Sequence, residues 1–283
     1  MEFRTLENID PQLIVNTFNE SFSDYYVPLS LTLEQFLLKM KEENIALHFS
    51  VGAFEDEKLV GIIVHYHHQI NGKYYVYNGG TGVIPSMRGK ALTKRMYHYI
   101  LPTLKSSKVD FLILEVLQQN IQAIKSYQNV GFNTDRNLIF CEGTLNASNI
   151  NNTNISIKPL EIFDWDKLTA FWDINPSWQN KTFVIDNIKD QLIAYAAYLN
   201  EELVGYLIYN PIYKRIQSFA VNPSYRNQGI ASTLLNHLHR HYPEKMRVVN
   251  IDEKAMNFVN FLKKRGLENV HTQHEMLLDL SKS

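Results

Sequence analysis

Three short strings occur twice in this chain, in the same order. EKLVGII at 57–63 returns as EELVGYL at 201–207, VIPSMR at 83–88 as VNPSYR at 221–226, and YQNVGF at 127–132 as LKKRGL at 262–267. The offsets are about 144, 138 and 135 residues, so one structural unit has been copied with small deletions. A chain of 283 residues is therefore expected to fold as two similar domains, in keeping with roughly 150 residues per domain. The boundary follows from composition. Residues 143–154, GTLNASNINNTN, are rich in Asn, Ser and Thr and cannot bury enough apolar surface to offset their ordering entropy. The expected domains are 1–145 and 156–283, joined by a polar Asn-rich linker at 146–155. The Asn-x-Ser/Thr matches in that stretch are read as linker polarity and not as glycosylation sites.

Within the first copy, PQLIVNTFNESF (11–22) places apolar residues at helical spacing behind Asp10 as cap and Pro11 in the first turn. TLEQFLLKMKEE (32–43) opens a second helix on Thr32. HFSVGAFEDEKLVGIIVHYHH (48–68) reads as two strands around a turn at Glu55, Asp56 and Glu57. A third strand, 73–84, runs through Pro85 into a helix at 90–104. DFLILEV (110–116) is a continuous apolar run, as expected of a buried central strand. A helix at 120–130 and a closing strand at 137–142 complete the copy, and the second copy repeats the plan with a shorter front end. The mixed order of strands and helices predicts an α+β (α/β-like) unit in each half.

Composition excludes several classes. Lys plus Arg is 28 against 29 for Asp plus Glu, with no basic stripe in either half, so nucleic acid is not an expected partner. The N-terminus MEFRTLENID has no apolar core of a signal peptide, and no stretch approaches ~18 uninterrupted apolar residues. The single cysteine, Cys141, has no internal partner for a disulfide. The expectation is a cytoplasmic protein with no membrane association.

The sharpest local signal lies where the third strand of each copy meets its helix. In the second copy the chain passes through Pro223 to Arg226, Asn227, Gln228, Gly229, Ile230 and Ala231. A turn that opens a helix offers unpaired backbone N–H groups and the positive end of the helix dipole. Small residues at 229 and 231 let a diphosphate approach that backbone. Arg226-x-x-Gly229-x-Ala231 after a strand ending Val-x-Pro resembles the pyrophosphate loop of the GCN5-related N-acetyltransferase (GNAT) family. The first copy has Arg88, Gly89, Lys90, Ala91, Leu92 and Thr93 there, with Ala91 where the family has glycine and Thr93 where it has glycine or alanine. Asn120, Ala123, Tyr127, Gly131 and Phe132 match the family's next segment, whereas the second copy places Ala255, Phe258 and Leu262 at its Asn, Ala and Tyr positions.

The resemblance covers nearly the whole chain. It implies two tandem GNAT domains, each a twisted, mixed and mainly antiparallel sheet flanked by helices. It implies acetyl-CoA as acyl donor, held between splayed strands through Thr81 and Val83 in one copy and Phe219 and Val221 in the other. Asn120 joins the donor-binding set. A backbone N–H near Val83 then serves as an oxyanion donor. Tyr127 is the candidate general acid, since a phenol near pKa 10 can protonate a thiolate near 8.5 when the two touch. No carboxylate stands on the third strand, which leaves Glu115 on the next strand as a candidate base. Asp24, Tyr25 and Tyr26 lie where the family forms its acceptor pocket, and an acid beside aromatics suits a cationic amine. Trp172 and Trp178 occupy the comparable region of the second copy and are read as packing.

Two histidine groups, His65, His67 and His68, and His237, His239 and His241, lack a Cys or carboxylate at ligand spacing, so no metal is expected. The expected activity is acetyl transfer from acetyl-CoA to an amine of a small molecule or peptide, with one working copy, more naturally the first. The alternative is an acyl-CoA sensor or interaction module with little catalysis. Tandem aminoacyl-tRNA-dependent peptidyl transferases resemble this chain in duplication only, and its neutral charge offers no path for tRNA. A monomer with pseudo-dimeric halves and a homodimer are both compatible with the sequence.

Overall fold

The structure is a computed structural model and describes residues 1–25, 29–146 and 152–282. The chain divides into two compact units: Met1–Arg136 with His274–Ser283, and Asn137–Gln273. Residues 147–151 of the expected linker lie outside the described residues.

In unit 1 the chain forms β1 (Glu2–Thr5), α1 (Pro11–Ser21), α2 (Leu33–Glu42), β2 (Val51–Glu55), β3 (Lys58–Ile70), β4 (Lys73–Val83), α3 (Leu92–Ser106), β5 (Phe111–Leu117) and α4 (Ile121–Gln128). The local signals act as anticipated. Asp10 accepts from the Gln12 N–H, and Thr32 and Gln35 form a reciprocal capping box at the start of α2. The β2–β3 turn puts Asp56 at φ 49° and Glu57 at φ 63°, the left-handed pair a two-residue hairpin requires.

Next come β6 (Asn133–Thr144), β7 (Ser156–Pro159), α5 (Trp165–Thr169), α6 (Thr182–Asn187), β8 (Ile193–Leu199), β9 (Glu202–Asn210), β10 (Arg215–Val221), α7 (Ile230–His241), β11 (Lys245–Asp252), α8 (Met256–Lys264) and β12 (Leu267–Asp279). The strand order is β1-β2-β3-β4-β5-β12 in unit 1 and β7-β8-β9-β10-β11-β6 in unit 2. The two orders correspond strand for strand except that the closing strands are exchanged. The C-terminal part of β12 and the residues after it belong to unit 1, where the Leu280 N–H donates to the Asp110 carbonyl at 2.8 Å. β6 pairs antiparallel with β11 from Lys245↔Thr144 to Asp252↔Leu138 in unit 2. Residues 137–145, read from sequence as the end of the first domain, thus fall in unit 2, and 274–283 fall in unit 1. Backbone groups satisfy a sheet edge equally well from either copy, so the repeat pattern alone does not assign them.

Each unit has a core on both faces of its sheet. In unit 1, Met96, Tyr97, Ile100, Ile124 and Tyr127 of α3 and α4 pack on Ile63, Val76, Leu112 and Leu114, joined by Met276 and Leu280. On the other face α1 approaches β4 so closely that a Cβ at Gly82 lies 2.7 Å from the Ser21 Cβ. In unit 2, Leu234, Leu235, Leu238, Val259 and Leu262 cover one face, and Leu168, Phe171 and Ile185 meet Tyr206 and Ile208 on the other.

Two irregularities mark the sheets next to the starts of α3 and α7. β4 and β5 are parallel partners only from Tyr75↔Phe111 to Asn78↔Leu114, yet β4 continues to Val83 and β5 to Leu117. β10 and β11 pair only at Arg215↔Arg247 and then run on to Val221 and Asp252. Each unit therefore has a pair of parallel strands that part. The second irregularity is a bulge against the preceding strand. Val64 pairs with Gly80 and His65 with Asn78, so Gly79 is the extra residue. Gln217 is the extra residue between Ile216 and Ser218. An inserted residue reverses the alternation of faces, which places Asn78 and Thr81, three apart, on the same side.

Candidate active site

The loops that open α3 and α7 share one backbone shape. Gly89 (φ 79°) and Ala91 (φ 54°) in one correspond to Asn227 (φ 62°) and Gly229 (φ 80°) in the other. Ala91 thus takes the left-handed conformation of its glycine counterpart, and the departure from the family pattern changes the energy of the loop but not its course. Neither Ala91 nor Gly229 caps its helix with a side chain, whereas Asp10, Thr32, Asn120 and Asp164 cap α1, α2, α4 and α5. The first-turn N–H groups of these two long helices are left open to an anion. A Cβ on Gly89 meets nothing within 4 Å, so that side of the loop is clear. These features fit the diphosphate of an acyl-CoA.

The two arginines that begin the loops are committed elsewhere. Arg88 makes a two-pronged pair with Asp24, with both N–O distances 2.7 Å, and donates to the carbonyls of Ser21 at 2.9 Å and Val83 at 3.2 Å. Arg226 repeats this with Asp173 at 2.8 Å, Phe171 O at 3.0 Å and Val221 O at 3.2 Å. The bond to Arg88 holds the Asp24 carboxyl below its ordinary value and raises the guanidinium. Asp24, expected at the acceptor, here ties the end of α1 to the loop. Of the remaining loop residues, Leu92 and Ile230 are buried anchors, and Lys90 Nζ lies 3.3 Å from the Met87 sulfur. Thr93 and Ala231 are half-buried in the first helical turns, and the Gln228 carbonyl accepts from Asn152 Nδ2 at 2.9 Å. Asn120 spends its side chain on the Ala123 N–H at 3.2 Å.

Where β4 leaves β5, the buried Asn78, Tyr97 and Tyr127 gather with the half-buried Thr81 in unit 1. Asn78 Oδ1 accepts from the Gly80 N–H at 2.9 Å, which fixes the amide so that Nδ2 donates to Thr81 Oγ1 and the Tyr97 hydroxyl, each at 2.7 Å. The Tyr127 ring is set edge-on to Tyr97 and Phe132, with centroids 6.3 and 5.9 Å away. Burial pushes the Tyr127 phenol up to about 12, with nearby Thr81 and Asn78 acting against that rise. Burial raises Tyr97 well above its usual value.

Glu115 stands on the opposite face, because it is one residue past Leu114, whose side chain lies in the α3–α4 core. Its Oε2 accepts from the Tyr77 hydroxyl at 2.6 Å, and the Tyr77 ring neighbours Tyr66 at 6.3 Å. Tyr25 packs edge-on against Phe22 at 5.2 Å and is close enough to Tyr127 to raise its pKa. Tyr26 lies outside the described residues.

Unit 2 has the same frame with different contents. Ile216, Phe219, Leu235 and Leu262 stand at the places of Asn78, Thr81, Tyr97 and Tyr127; three are buried in one apolar core and the half-buried Phe219 packs against it. Phe219 packs on Phe258 and Phe261, with centroids 5.8 and 6.4 Å away. The diverging strands are bridged by the unit's own chain. Arg215 and Gln217 of β10 donate to the Gln179 side chain and backbone carbonyl, while Asn180 Nδ2 donates to the Val249 carbonyl of β11 at 3.0 Å. Trp178 beside them is fully buried, and Trp172 donates to the Tyr206 hydroxyl.

Sequence reasoning missed Asn78, Tyr97, Tyr77 and Asp173. The signal for the first two was available as a polar residue in one copy set against Ile216 and Leu235 in the other. Among the described residues no group of three His, Cys, Asp or Glu is placed to hold a metal ion. His65 is buried and donates or accepts through Nδ1 at the Phe49 carbonyl, 2.8 Å away, and burial lowers it to about 4. Cys141 is buried and its thiol is pushed up to about 11. No described helix is long and apolar enough to cross a membrane.

Comparison with known proteins agrees with this frame. The profile of the acetyltransferase (GNAT) family matches residues 12–132 and 159–266. A GCN5-related N-acetyltransferase from Sphaerobacter thermophilus superposes with a TM-score of 0.76 at 14% identity, over 99% of this chain and 95% of that one. A tandem GNAT protein from the clavulanic acid biosynthesis pathway gives 0.71 at 11% identity, over 99% and 98%. A GCN5-related N-acetyltransferase from Kribbella flavida gives 0.62 at 12% identity, over 99% and 73%. At these identities the likeness is one of fold. No curated protein sequence matches the chain.

Proposed function

This chain belongs to the GNAT acetyltransferase family, with the family profile matched twice along it, and from that premise we propose that it is an acetyl-CoA-dependent N-acetyltransferase whose chemistry runs in unit 1. The observation that carries this reading is the hydrogen-bonded set of Asn78, Thr81 and Tyr97, with Tyr127 edge-on to Tyr97, against the apolar Ile216, Phe219, Leu235 and Leu262 of unit 2. Taking polar groups out of water costs free energy that hydrogen bonds only offset, and the second copy folds with apolar residues at all four places.

Acetyl-CoA supplies the acetyl group as a thioester, in which the amine forms a C–N bond as the C–S bond breaks. The open first turn of α3 holds the diphosphate, with backbone N–H groups of residues 89–93 as donors. The unpaired edge of β4 from Thr81 to Val83 accompanies the acyl arm. Tyr127 gives its proton to the departing sulfur, and Glu115, held by Tyr77, takes the proton that the amine sheds. These two groups stand on opposite faces of the sheet, so the gap between β4 and β5 is where both reach one reaction. Tyr25, beside Tyr127, borders the acceptor. Unit 2 keeps an open helix start at Gly229 but lacks a proton donor at the place of Tyr127, which favours donor binding without turnover as the second reading for that unit alone.

The test is thiol release from acetyl-CoA with a panel of small and peptide amines. Tyr127→Phe is expected to lower turnover by about 10²-fold or more. Titration calorimetry with acetyl-CoA is expected to give one site per chain. Turnover unaffected by Tyr127→Phe removes unit 1 as the catalytic half, and an absence of binding removes the acetyltransferase reading.

A further inference from the structure

The segment that enters the first helix of each unit is copied with changed contents. Leu6-Glu7-Asn8-Ile9-Asp10 before α1 returns as Leu160-Glu161-Ile162-Phe163-Asp164 before α5, and both aspartates cap their helices. Trp165 follows where the first copy has Pro11. The second copy thus puts isoleucine, phenylalanine and tryptophan where the first folds with asparagine, isoleucine and proline. Ile162 is 80% exposed, so the fold gains no packing from that change.

These residues wall a cavity of about 240 Å³ in unit 2, lined by Glu161, Ile162 and Phe163 together with Asp186 of α6 and Lys189 just after it. Pockets for drug-sized molecules run to about 300–1,000 Å³, so this one suits a group the size of a single side chain. Its lining is part apolar and part acidic. Phe163 stands edge-on to Trp165 with centroids 5.5 Å apart, and both rest against the core of Leu168, Phe171 and Ile185. The Trp165 indole N–H donates to both Asp186 oxygens at 2.9 Å, which fixes the carboxylate and leaves it further capacity to accept. Among the described residues the ion pairs of this region join Lys167 to Asp164 and Arg226 to Asp173, and neither takes up Glu161 or Asp186. Two carboxylates against the one ammonium of Lys189 leave the lining negative.

We infer that unit 2 carries here a binding site for a small organic cation with an apolar stem, the alkylammonium or guanidinium group that a lysine or arginine side chain bears. The charged head meets Asp186, Glu161 and the Phe163 ring, and the stem lies along Ile162. An inorganic cation makes no use of the apolar wall, and a neutral apolar group leaves the carboxylates unpaired. The cavity shares no residue with the donor loops or with the polar cluster of unit 1.

The experiment follows the Trp165 indole N–H of the full chain by nitrogen-15 NMR, with Trp165→Phe assigning the signal. Butylammonium and N-acetyl-lysine methylamide are titrated, with the blocked norleucine as the neutral control and sodium chloride as the ionic one. Both organic cations are expected to move the signal along a saturating curve, with dissociation constants of about 1 mM or tighter. The tighter of the two tells whether a free amine or a side chain borne on a peptide is the occupant. Asp186→Asn is expected to weaken binding about tenfold or more, the effect of losing a hydrogen bond to a charged group. Ile162→Asn, which gives an exposed position the residue the first copy carries there, is expected to weaken it about threefold through lost apolar contact. A signal that does not saturate, or that moves equally with blocked norleucine or sodium chloride, overturns the site. Unchanged affinity in both variants does so as well.

Discussion

Replacing Ala91 by glycine and Gly229 by alanine exchanges the residues at two helix starts that share one backbone shape. Ala91 sits at φ 54° and ψ 31°, Gly229 at φ 80° and ψ 0°, both in the left-handed region. An L-residue with a Cβ is disfavoured there by about 1–2 kcal/mol. Against this, alanine restricts the unfolded chain more than glycine does, worth about 0.4–1 kcal/mol. The difference leaves about 0.5–1 kcal/mol, a gain for Ala91→Gly and a loss for Gly229→Ala. At about 2–4 °C per kcal/mol for domains of 150–250 residues, the melting temperature is expected to move by about 1–4 °C, in opposite directions. Thermal unfolding followed by circular dichroism or calorimetry reads this. The same proteins titrated with acetyl-CoA test which loop holds the donor, and Gly229→Ala is expected to leave the dissociation constant unchanged. Shifts of the same sign in the two variants refute the strain argument. Weaker binding in Gly229→Ala refutes the assignment of the donor to unit 1.

Packing and burial set three further outcomes. His65 has a folded pKa of about 4 against about 6.5 unfolded, so the unfolded chain binds the proton first. Stability is expected to fall by about 3 kcal/mol as pH drops from 6.5 to 4, and urea titrations of His65→Asn should lack that slope. A Cβ at Gly79 meets the buried Tyr66 ring at 2.1 Å, so Gly79→Ala is expected to destabilise by about 1–3 kcal/mol, and pairing it with Tyr66→Ala should give less than the sum of the single effects. In unit 2 a Cβ at Gly143 comes 2.0 Å from the Gly266 carbonyl oxygen, where backbone must move; Gly143→Ala is expected to lose about 3 kcal/mol or more in denaturant unfolding.

Whatever depends on neighbours along the chain can be read from the order of residues. Asp10 and Thr32 cap the helices they precede, Asp56 and Glu57 make the hairpin, and the loops before Leu92 and Ile230 open their helices without a side-chain cap. The duplication, the family and Tyr127 as a candidate were also legible, because each is a spacing of residue types. What sequence left open depends on which backbone meets which. The Arg88–Asp24 and Arg226–Asp173 pairs join residues on different elements, so arginines that read as free phosphate ligands prove to be fasteners of the loop. Asn78 joins Thr81 only because one extra residue at Gly79 turns the strand over, and a bulge leaves little trace in a pattern of alternating residues. The closing strands are the clearest case. β6 and β12 carry equivalent places in the two copies, and either can satisfy the edge of either sheet through backbone hydrogen bonds that all residues share. Only the packing of Met276 and Leu280 into the core of unit 1, and of Ile139 and Cys141 into that of unit 2, decided which strand closed which sheet.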